Sequence, residues 1–338
     1  MKILFAGTPA NAAQTLRALL GGNHEVVAVL TRPDAPVGRK RILTPSATAL
    51  VAQEAGVQVF KADRVTPELA RDLAATGAEI GVIVAYGALL KDFALKALPK
   101  GWVNLHYSLL PDWRGAAPVQ NAILAGDTDT GVTLFQLDPG MDTGGIIDVV
   151  RTNIQVGETS GRLLERLTEL GITLLNQALP AIESGLTTPQ PQPDQPGYEN
   201  QTDRWNLAAS QIRPASKPTR EQAQLDWGKS AMDIERLVLA MNPEPMAFSS
   251  LSNEPFRIID AVALGSTDWS ALESESETDH LPGRLRFEPK RVLVECGFGT
   301  LLQLKTVQPA GKNPMQAIDW ARGATGKHLN FDFAKESN

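Results

Sequence analysis

A single cysteine, Cys296, excludes any disulfide within the chain, and its setting in VLVECGF reads as a strand residue in a reducing compartment. No hydrophobic run is long enough to cross a bilayer. The longest, IGVIVAYGALL at 80–90, has 11 residues where a spanning helix needs roughly 20, so it reads as a buried parallel strand opening into a loop. Met1 leads at once into KILFAG, without the charged, apolar and cleavage regions of a leader, so a cytoplasmic protein with no membrane association is expected. Gly7 stands alone where a nicotinamide-binding fold carries G-x-G-x-x-G, which removes that fold's main fingerprint. The four histidines, His24, His106, His280 and His328, show no ligand spacing with one another or with Cys296, so no metal is expected. The chain also lacks an overall basic charge. Its net charge of −6 argues against a uniformly cationic nucleic-acid protein, and the distribution then matters more than the sum.

That distribution is uneven. The loop RPDAPVGRKR at 32–41 sets Arg32, Arg39, Lys40 and Arg41 against Asp34, a surplus of +3. Residues 283–327 carry eight basic side chains (Arg284, Arg286, Lys290, Arg291, Lys305, Lys312, Arg322, Lys327) against Glu288, Glu295 and Asp319, a surplus of +5. The acidic residues gather elsewhere, notably in DWSALESESETD at 268–279, which reads as a hairpin tip.

A length of 338 residues, 43% hydrophobic and 21% charged, is ordinary for a globular chain of two domains. The first half alternates apolar runs with helical patterns: KILFAG, a helix bearing Leu16, Leu19 and Leu20, and the strand VVAVLT, which is βαβ grammar. Further helices are expected around 45–55 and 66–75, with GVIVAY (81–86) and VNLH (103–106) as the central strands of a mostly parallel sheet. After a helix in APVQNAILAG come the strands GVTLFQL and GGIIDVVRTNI, then a long amphipathic helix from Thr159 to about Ser184. The proline- and glutamine-rich stretch 187–203 has no apolar periodicity and reads as a semi-extended linker. Beyond a helix in SAMDIERLVLAMN, short strands around 246–251, 255–264, 283–287, 290–296 and 299–306 suggest a small barrel of the oligonucleotide-binding type. The expected boundaries are 1–188, a linker at 189–216, and 217–338.

The stretch VNLHYSLLPDWRGAAP, 103–118, carries the chemistry. Asn104 and His106 are two apart at the end of a strand, so both side chains project from one face, at the edge where open α/β sheets bind ligands. The run DPGMDTGG at 138–145 follows another apolar strand and can bring a carboxylate there; Asp138 and Asp142 both border this turn. On its own, a strand-end histidine is an ordinary polar terminator and a turn aspartate an ordinary turn residue. The spacing N-x-H, with D-x-G downstream, is what points to a site.

Nearly the whole chain resembles the methionyl-tRNA formyltransferases: FAGTP, the basic loop, IVAYG, N-L-H with SLLP and RGAAP, MDTG, QLDW, MNPEPM and QPAGKNPM, all in one order. The resemblance implies a Rossmann-like formyltransferase domain followed by a smaller oligonucleotide-binding-type β-barrel. It also implies formyl transfer from 10-formyltetrahydrofolate to the α-amino group of initiator methionyl-tRNA, by a monomer that needs no metal. By the same resemblance Asn104, His106 and Asp142 match the catalytic trio. Ser108, Leu109, Leu110 and Pro111 match the folate-contacting loop, with Tyr86, Gly87 and Asp138 as further folate contacts. Arg39 matches a residue engaging the tRNA acceptor stem, with Arg32, Lys40 and Arg41 beside it. Three positions depart from the pattern: Tyr107 replaces a small residue, Gly145 a commonly acidic one, and the region 190–214 is longer than usual.

An amine attacking a formamide-like carbonyl builds a tetrahedral intermediate with a negative oxygen and a cationic nitrogen. An Asn amide and a protonated imidazole can donate to that oxygen, and a neighbouring carboxylate can relay the proton. A formyltransferase acting on a small amine, such as glycinamide ribonucleotide or an amino sugar, shares this chemistry but has no use for a barrel or a basic loop. The glycinamide enzymes also carry a Gly-Ser-Asn phosphate loop after the first strand, which ANAAQ at 10–14 does not supply.

Overall fold

Runs of β-branched residues alternating with leucine-striped segments fold here as the patterning requires. The computed structural model describes residues 1–38, 40–200, 202–207, 211–265, 280–324 and 329–332. Arg39, Lys327, His328 and the acidic run 268–279 lie outside the described residues. The chain forms two units. One comprises Met1–Pro118, Asp129–Asn153 and Leu164–Ser216; the other Val119–Thr128, Ile154–Leu163 and Lys217–Asn338.

In the first unit the elements run β1 (Lys2–Gly7), α1 (Ala10–Leu20), β2 (Glu25–Thr31), the hairpin β3 (Ala35–Val37) and β4 (Ile42–Thr44), α2 (Ala47–Glu54) and β5 (Gln58–Lys61). They continue with α3 (Pro67–Ala75), β6 (Ile80–Val84), the single turn α4 (Asp92–Leu95), β7 (Trp102–His106) and β8 (Arg114–Gly115). After α5 (Pro118–Ala125), which but for Pro118 belongs to the second unit, come β9 (Asp129–Gln136), β10 (Ile146–Asn153) and α6 (Ser160–Glu183), whose first turn to Leu163 is also of the second unit. Helix starts follow local chemistry: Ser46 and Thr66 accept the backbone N–H of Ala49 and Leu69, and Pro67 opens α3.

The seven-stranded sheet has the order β10-β9-β7-β6-β1-β2-β5. From β7 to β5 the pairings are parallel, while β9 and β10 run antiparallel. Every residue of the central strand β6 is buried, as expected of a parallel strand covered on both faces. Leu4, Ala6, Ala28 and Leu30 on one face pack with Leu73, Ala94, Leu98 and Trp102, whose indole N–H donates to the Ala94 carbonyl.

The segment read as a linker is built into the first unit. Gln190 exchanges two main-chain hydrogen bonds with Ile146, at 2.7 and 2.8 Å, and Gln192 is fully buried. Further on, β11 (Pro214–Ala215) pairs in parallel with β8, so the first unit continues to Ser216. Proline-rich composition without apolar periodicity conceals this because what the segment buries is an amide and main-chain polar groups, which leave no hydrophobic pattern.

The second unit contains α7 (Ala231–Ala240) and a curved antiparallel sheet of β12 (Phe248–Leu251), β13 (Glu254–Ala263), β14 (Leu285–Phe287), β15 (Val292–Glu295), β16 (Leu301–Pro309) and β17 (Met315–Gln316). The strand order is β12-β13-β16-β15-β14, with β17 on β16, a half-barrel followed by α8 (Ala317–Ala321). Trp227 stacks on Phe331 at 4.7 Å within its core.

All three acidic side chains of the stretch 283–327 are taken up by its own arginines. Glu295 is fully buried and holds Arg286 at 2.6 Å, His280 at 3.4 Å and Arg284 at 3.8 Å, while accepting the Leu281 N–H at 2.6 Å. Arg291 pairs with Glu288, and Arg322 with Asp319. Four of the arginines counted as a phosphate track are therefore ion-paired, and Lys290, Lys305 and Lys312 are the described cations of that stretch with no ion pair. Glu295→Ala strands its cationic partners. It is expected to destabilise this unit by about 3 to 5 kcal/mol, measurable by urea unfolding.

Candidate active site

The end of β7 and the loops beside it enclose a cavity of about 420 Å³. Its walls are mostly apolar or main chain: Ile83, Ala85 to Leu90, Leu105, Ala116 and Leu137, with Leu89 and Met141 largely exposed. Three polar side chains converge on it, from Asn104, His106 and Asp142.

Each is fixed by a different element. Asn104 is in β7 between Ile83 of β6 and Phe135 of β9, and its Oδ1 is buried without a hydrogen-bond partner. A carboxamide with an unsatisfied oxygen beside a cavity has unused hydrogen-bonding capacity, and a half turn about the soft χ2 torsion exchanges this acceptor for two N–H donors. His106, also buried, places Nε2 2.9 Å from the Trp113 carbonyl. A carbonyl only accepts, so Nε2 carries a proton and Nδ1 is the nitrogen left for chemistry. Nδ1 lies 3.7 Å from Asp142 Oδ2, which in turn accepts the Gly115 N–H at 2.9 Å.

The carboxylate reaches His106 by an unexpected route. Because β9 is antiparallel to β7, with Gln136 beside Val103 and Thr133 beside His106, the 138–145 turn leaves β9 at the far end of β7 from His106. It must double back over the Asn104 and His106 face to bring Asp142 in. Asp142 sits at φ 53°, and Ala85 and Trp113, which also bound the site, sit at 49° and 60°. Left-handed non-glycine residues gathered at one cavity are backbone strain held in place by their surroundings. Trp113 is held by Arg213, whose guanidinium stacks 4.0 Å over the indole and pairs with Asp112.

The other expected site residues separate. Tyr86 and Gly87 line the cavity, but the Tyr86 phenol turns away to the Ala62 carbonyl, and its burial pushes the pKa up to about 12. Asp138 is outside the lining and organises the turn, accepting Thr143 Oγ1 and the Gly140 N–H. Ser108, Leu109, Leu110 and Pro111 are also outside it. Ser108 donates to the Asp112 carbonyl, and Leu110 is fully buried against Phe135 and Leu207, so this loop turns into the protein. Tyr107 also lines the cavity, but its hydroxyl meets Asn11 at 3.2 Å, and burial raises its pKa. Of the basic loop, Arg32 is committed to Asp63 at 3.0 Å, whereas Lys40 and Arg41 are exposed on the β3–β4 hairpin beside exposed Val37, Ile42 and Leu43.

Sequence reasoning missed the Trp113 carbonyl and the Gly115 N–H, since main-chain groups carry no residue signature. It also missed Gln192 and the Arg114–Asp194 pair. The hydrogen bonds from Arg114 hold the Asp194 carboxyl below its usual range. The stability this pair contributes is therefore present above the unfolded carboxyl pKa and lost as pH falls through the lowered folded value.

Two family models match the chain, Formyl transferase over residues 1–179 and the formyl transferase C-terminal domain over 217–325. The methionyl-tRNA formyltransferase of Paenarthrobacter aurescens is 42% identical over 333 residues, covering 98% of this chain and 100% of that one. That of Acidothermus cellulolyticus is 44% identical over 339 residues, covering 96% and 97%. Among solved structures, an N-formyltransferase from Helicobacter canadensis, crystallised with folinic acid and dTDP-3-aminofucose, superposes with a TM-score of 0.61 at 18% identity, over 91% of this chain and 99% of that one. HypX from Aquifex aeolicus with tetrahydrofolic acid gives 0.58 at 17% identity, over 99% and 51%. At such identity these two speak for the fold alone.

Proposed function

The chain belongs to the formyl transferase family, among its methionyl-tRNA formyltransferases, and we propose that it transfers the formyl group of 10-formyltetrahydrofolate to the α-amino group of initiator methionyl-tRNA. The observation that carries this reading is the convergence of Asn104, His106 and Asp142 on one apolar cavity, where the Asn104 side chain also carries a buried oxygen without a hydrogen-bond partner. Apolar walls with a few converging polar groups suit a pterin. The donor supplies a formamide-like carbonyl; all else falls to the chain.

The carboxamide of Asn104 donates to the carbonyl oxygen as negative charge gathers there. His106 Nδ1, opposite the anchored Nε2, takes the proton that the attacking amine must lose, or returns one to the leaving nitrogen. Asp142 compensates the positive charge that His106 gains on accepting it. No nucleophilic side chain is required. The test is formyl transfer to charged initiator tRNA, compared with charged elongator tRNA, free methionine and a small amine such as glycinamide ribonucleotide. Equal rates on free methionine and on the charged initiator would refute the tRNA reading.

Lys40 and Arg41 on the hairpin, with Arg39, are proposed to engage the acceptor end, and Lys290, Lys305 and Lys312 to meet tRNA phosphates. Arg32 is better assigned to the hairpin base, where Asp63 holds it. The double variant Lys40→Glu, Arg41→Glu is expected to weaken tRNA binding about tenfold. It should also flatten the salt dependence by about 0.7 to 0.9 per lost contact, read by filter retention between about 50 and 200 mM salt. Folate binding by equilibrium dialysis should not change; its collapse would put the hairpin in the folate site instead.

A further inference from the structure

The turn that carries Asp142 is gripped from behind by one residue of the proline-rich segment. Gln192 is fully buried, and its Nε2 donates to the Asp142 carbonyl at 2.8 Å and to the Gly144 carbonyl at 2.9 Å. Its Oε1 accepts from Arg114, from Nε at 3.1 Å and from Nη2. Arg114 directs Nη1 and Nη2 to the Asp194 carboxylate at 2.7 and 2.6 Å. Next to Arg114 is Gly115, whose N–H holds the Asp142 carboxylate. Asp142 is thus anchored twice, by its carbonyl and by its carboxylate, and the two anchors are joined through a single amide.

We infer that Gln192 is a positioning residue for catalysis, bracing the Asp142 turn against β8 so that the carboxylate stays at His106. The inference rests on the formyl-transfer reading above. The need for a brace follows from two features already described: Asp142 is held at φ 53°, and its turn doubles back from the far end of β7. Only a side chain with donors and an acceptor on one planar group can join two carbonyls to a guanidinium. Glutamate lacks the donors, leucine lacks both, and asparagine is a methylene short. Gly145 belongs to the same arrangement. A Cβ there would lie 2.8 Å from Pro189 Cβ, so a bare position is what lets the segment lie against the turn. Two departures from the family pattern, Gly145 and the longer region 190–214, are accordingly one structural feature.

The test uses Gln192→Glu in the full chain, which keeps the acceptor for Arg114 but turns an oxygen toward two carbonyls. The expected result is a fall in kcat of about tenfold or more with both KM values within about twofold, since Gln192 touches neither substrate. In an Asp142→Asn background the same change should cost less than about twofold, because the group being positioned is already disabled. Amide hydrogen exchange should show faster exchange at Gly115, with β1 and β6 unchanged. If Gln192→Glu does not fold, Asp194→Asn, which weakens the grip on Arg114 from a partly exposed site, replaces it in the same cycle. A penalty that multiplies in full on Asp142→Asn, or unchanged protection at Gly115, overturns the brace. A wild-type chain that formylates no methionyl-tRNA overturns the functional reading instead, and the exchange at Gly115 then decides the brace by itself.

Discussion

Asp142→Asn is expected to lower kcat by about 10² or more with little change in tRNA binding, and Asn104→Ala and His106→Ala by similar factors. The aspartate variant is the cleanest. Its Oδ1 can still accept the Gly115 N–H, so the turn keeps its position while the negative charge 3.7 Å from His106 Nδ1 disappears. Removing the imidazole takes away the proton acceptor and also strands the Trp113 carbonyl. The asparagine variant has a second, opposite signature. Asn104 Oδ1 is buried and unpartnered, a liability of about 1 to 3 kcal/mol in a resting fold, so Asn104→Ala should leave the melting temperature unchanged or raised while turnover falls. A stability loss alongside the activity loss would show that the amide is a structural strut. Because the three groups serve one transition state, the double variants should cost far less than the product of the singles. Single-turnover formylation with initiator tRNA measures the rates, filter retention the tRNA binding, and thermal unfolding the stability. Near wild-type rates in Asp142→Asn would remove the carboxylate from the chemistry, since Asp138 is occupied by Thr143 and the Gly140 N–H.

Gly144→Ala is expected to be as damaging without touching a reacting group. A Cβ at that position would stand 1.8 Å from the Gln136 carbonyl oxygen and 3.0 Å from its carbon, both main-chain atoms of the rigid strand β9. Ordinary contact begins near 3.4 Å, so the turn has to move by more than 1 Å. It is the Gln192-braced turn that moves, and Asp142 moves with it. A displacement of that size costs about 10² in rate when it misplaces a catalytic group. Overpacking adds a stability loss of about 1 to 3 kcal/mol. Gly185→Ala is the control: its φ of +70° penalises any side chain, yet nothing lies within 4 Å of the added Cβ. It should lose about 1 to 2 kcal/mol of stability and no turnover. Measuring kcat and thermal midpoints for both separates the two effects. An active Gly144→Ala enzyme would mean that the turn is compliant and the position of Asp142 is set elsewhere.

Some features of the chain depend only on neighbours in sequence, and those were legible without coordinates. Alternation and helical periodicity depend on residues a few positions apart, so the strand Trp102–His106, the helix Ser160–Glu183 and the antiparallel strands of the second unit emerge close to where the pattern puts them. The period of two likewise puts Asn104 and His106 on one face whatever surrounds them. What the tertiary structure alone decided are matters of partner and direction. The antiparallel course of β9 sends the Asp142 turn back over β7, and the donor and acceptor on either side of the site, Gly115 N–H and Trp113 C=O, are main-chain groups that any residue would possess. Gln192 lies 50 positions from Asp142 and looked like part of a tether. Arg284 and Arg286 looked like a phosphate track until a buried Glu295 claimed them. Within the expected folate loop Ser108 to Pro111, it is the fold that turns Leu110 to the core. Composition counts charges and polar groups, but whether an amide or a guanidinium is spent inside the protein or left for a ligand is settled by what long-range folding places within hydrogen-bond reach of it.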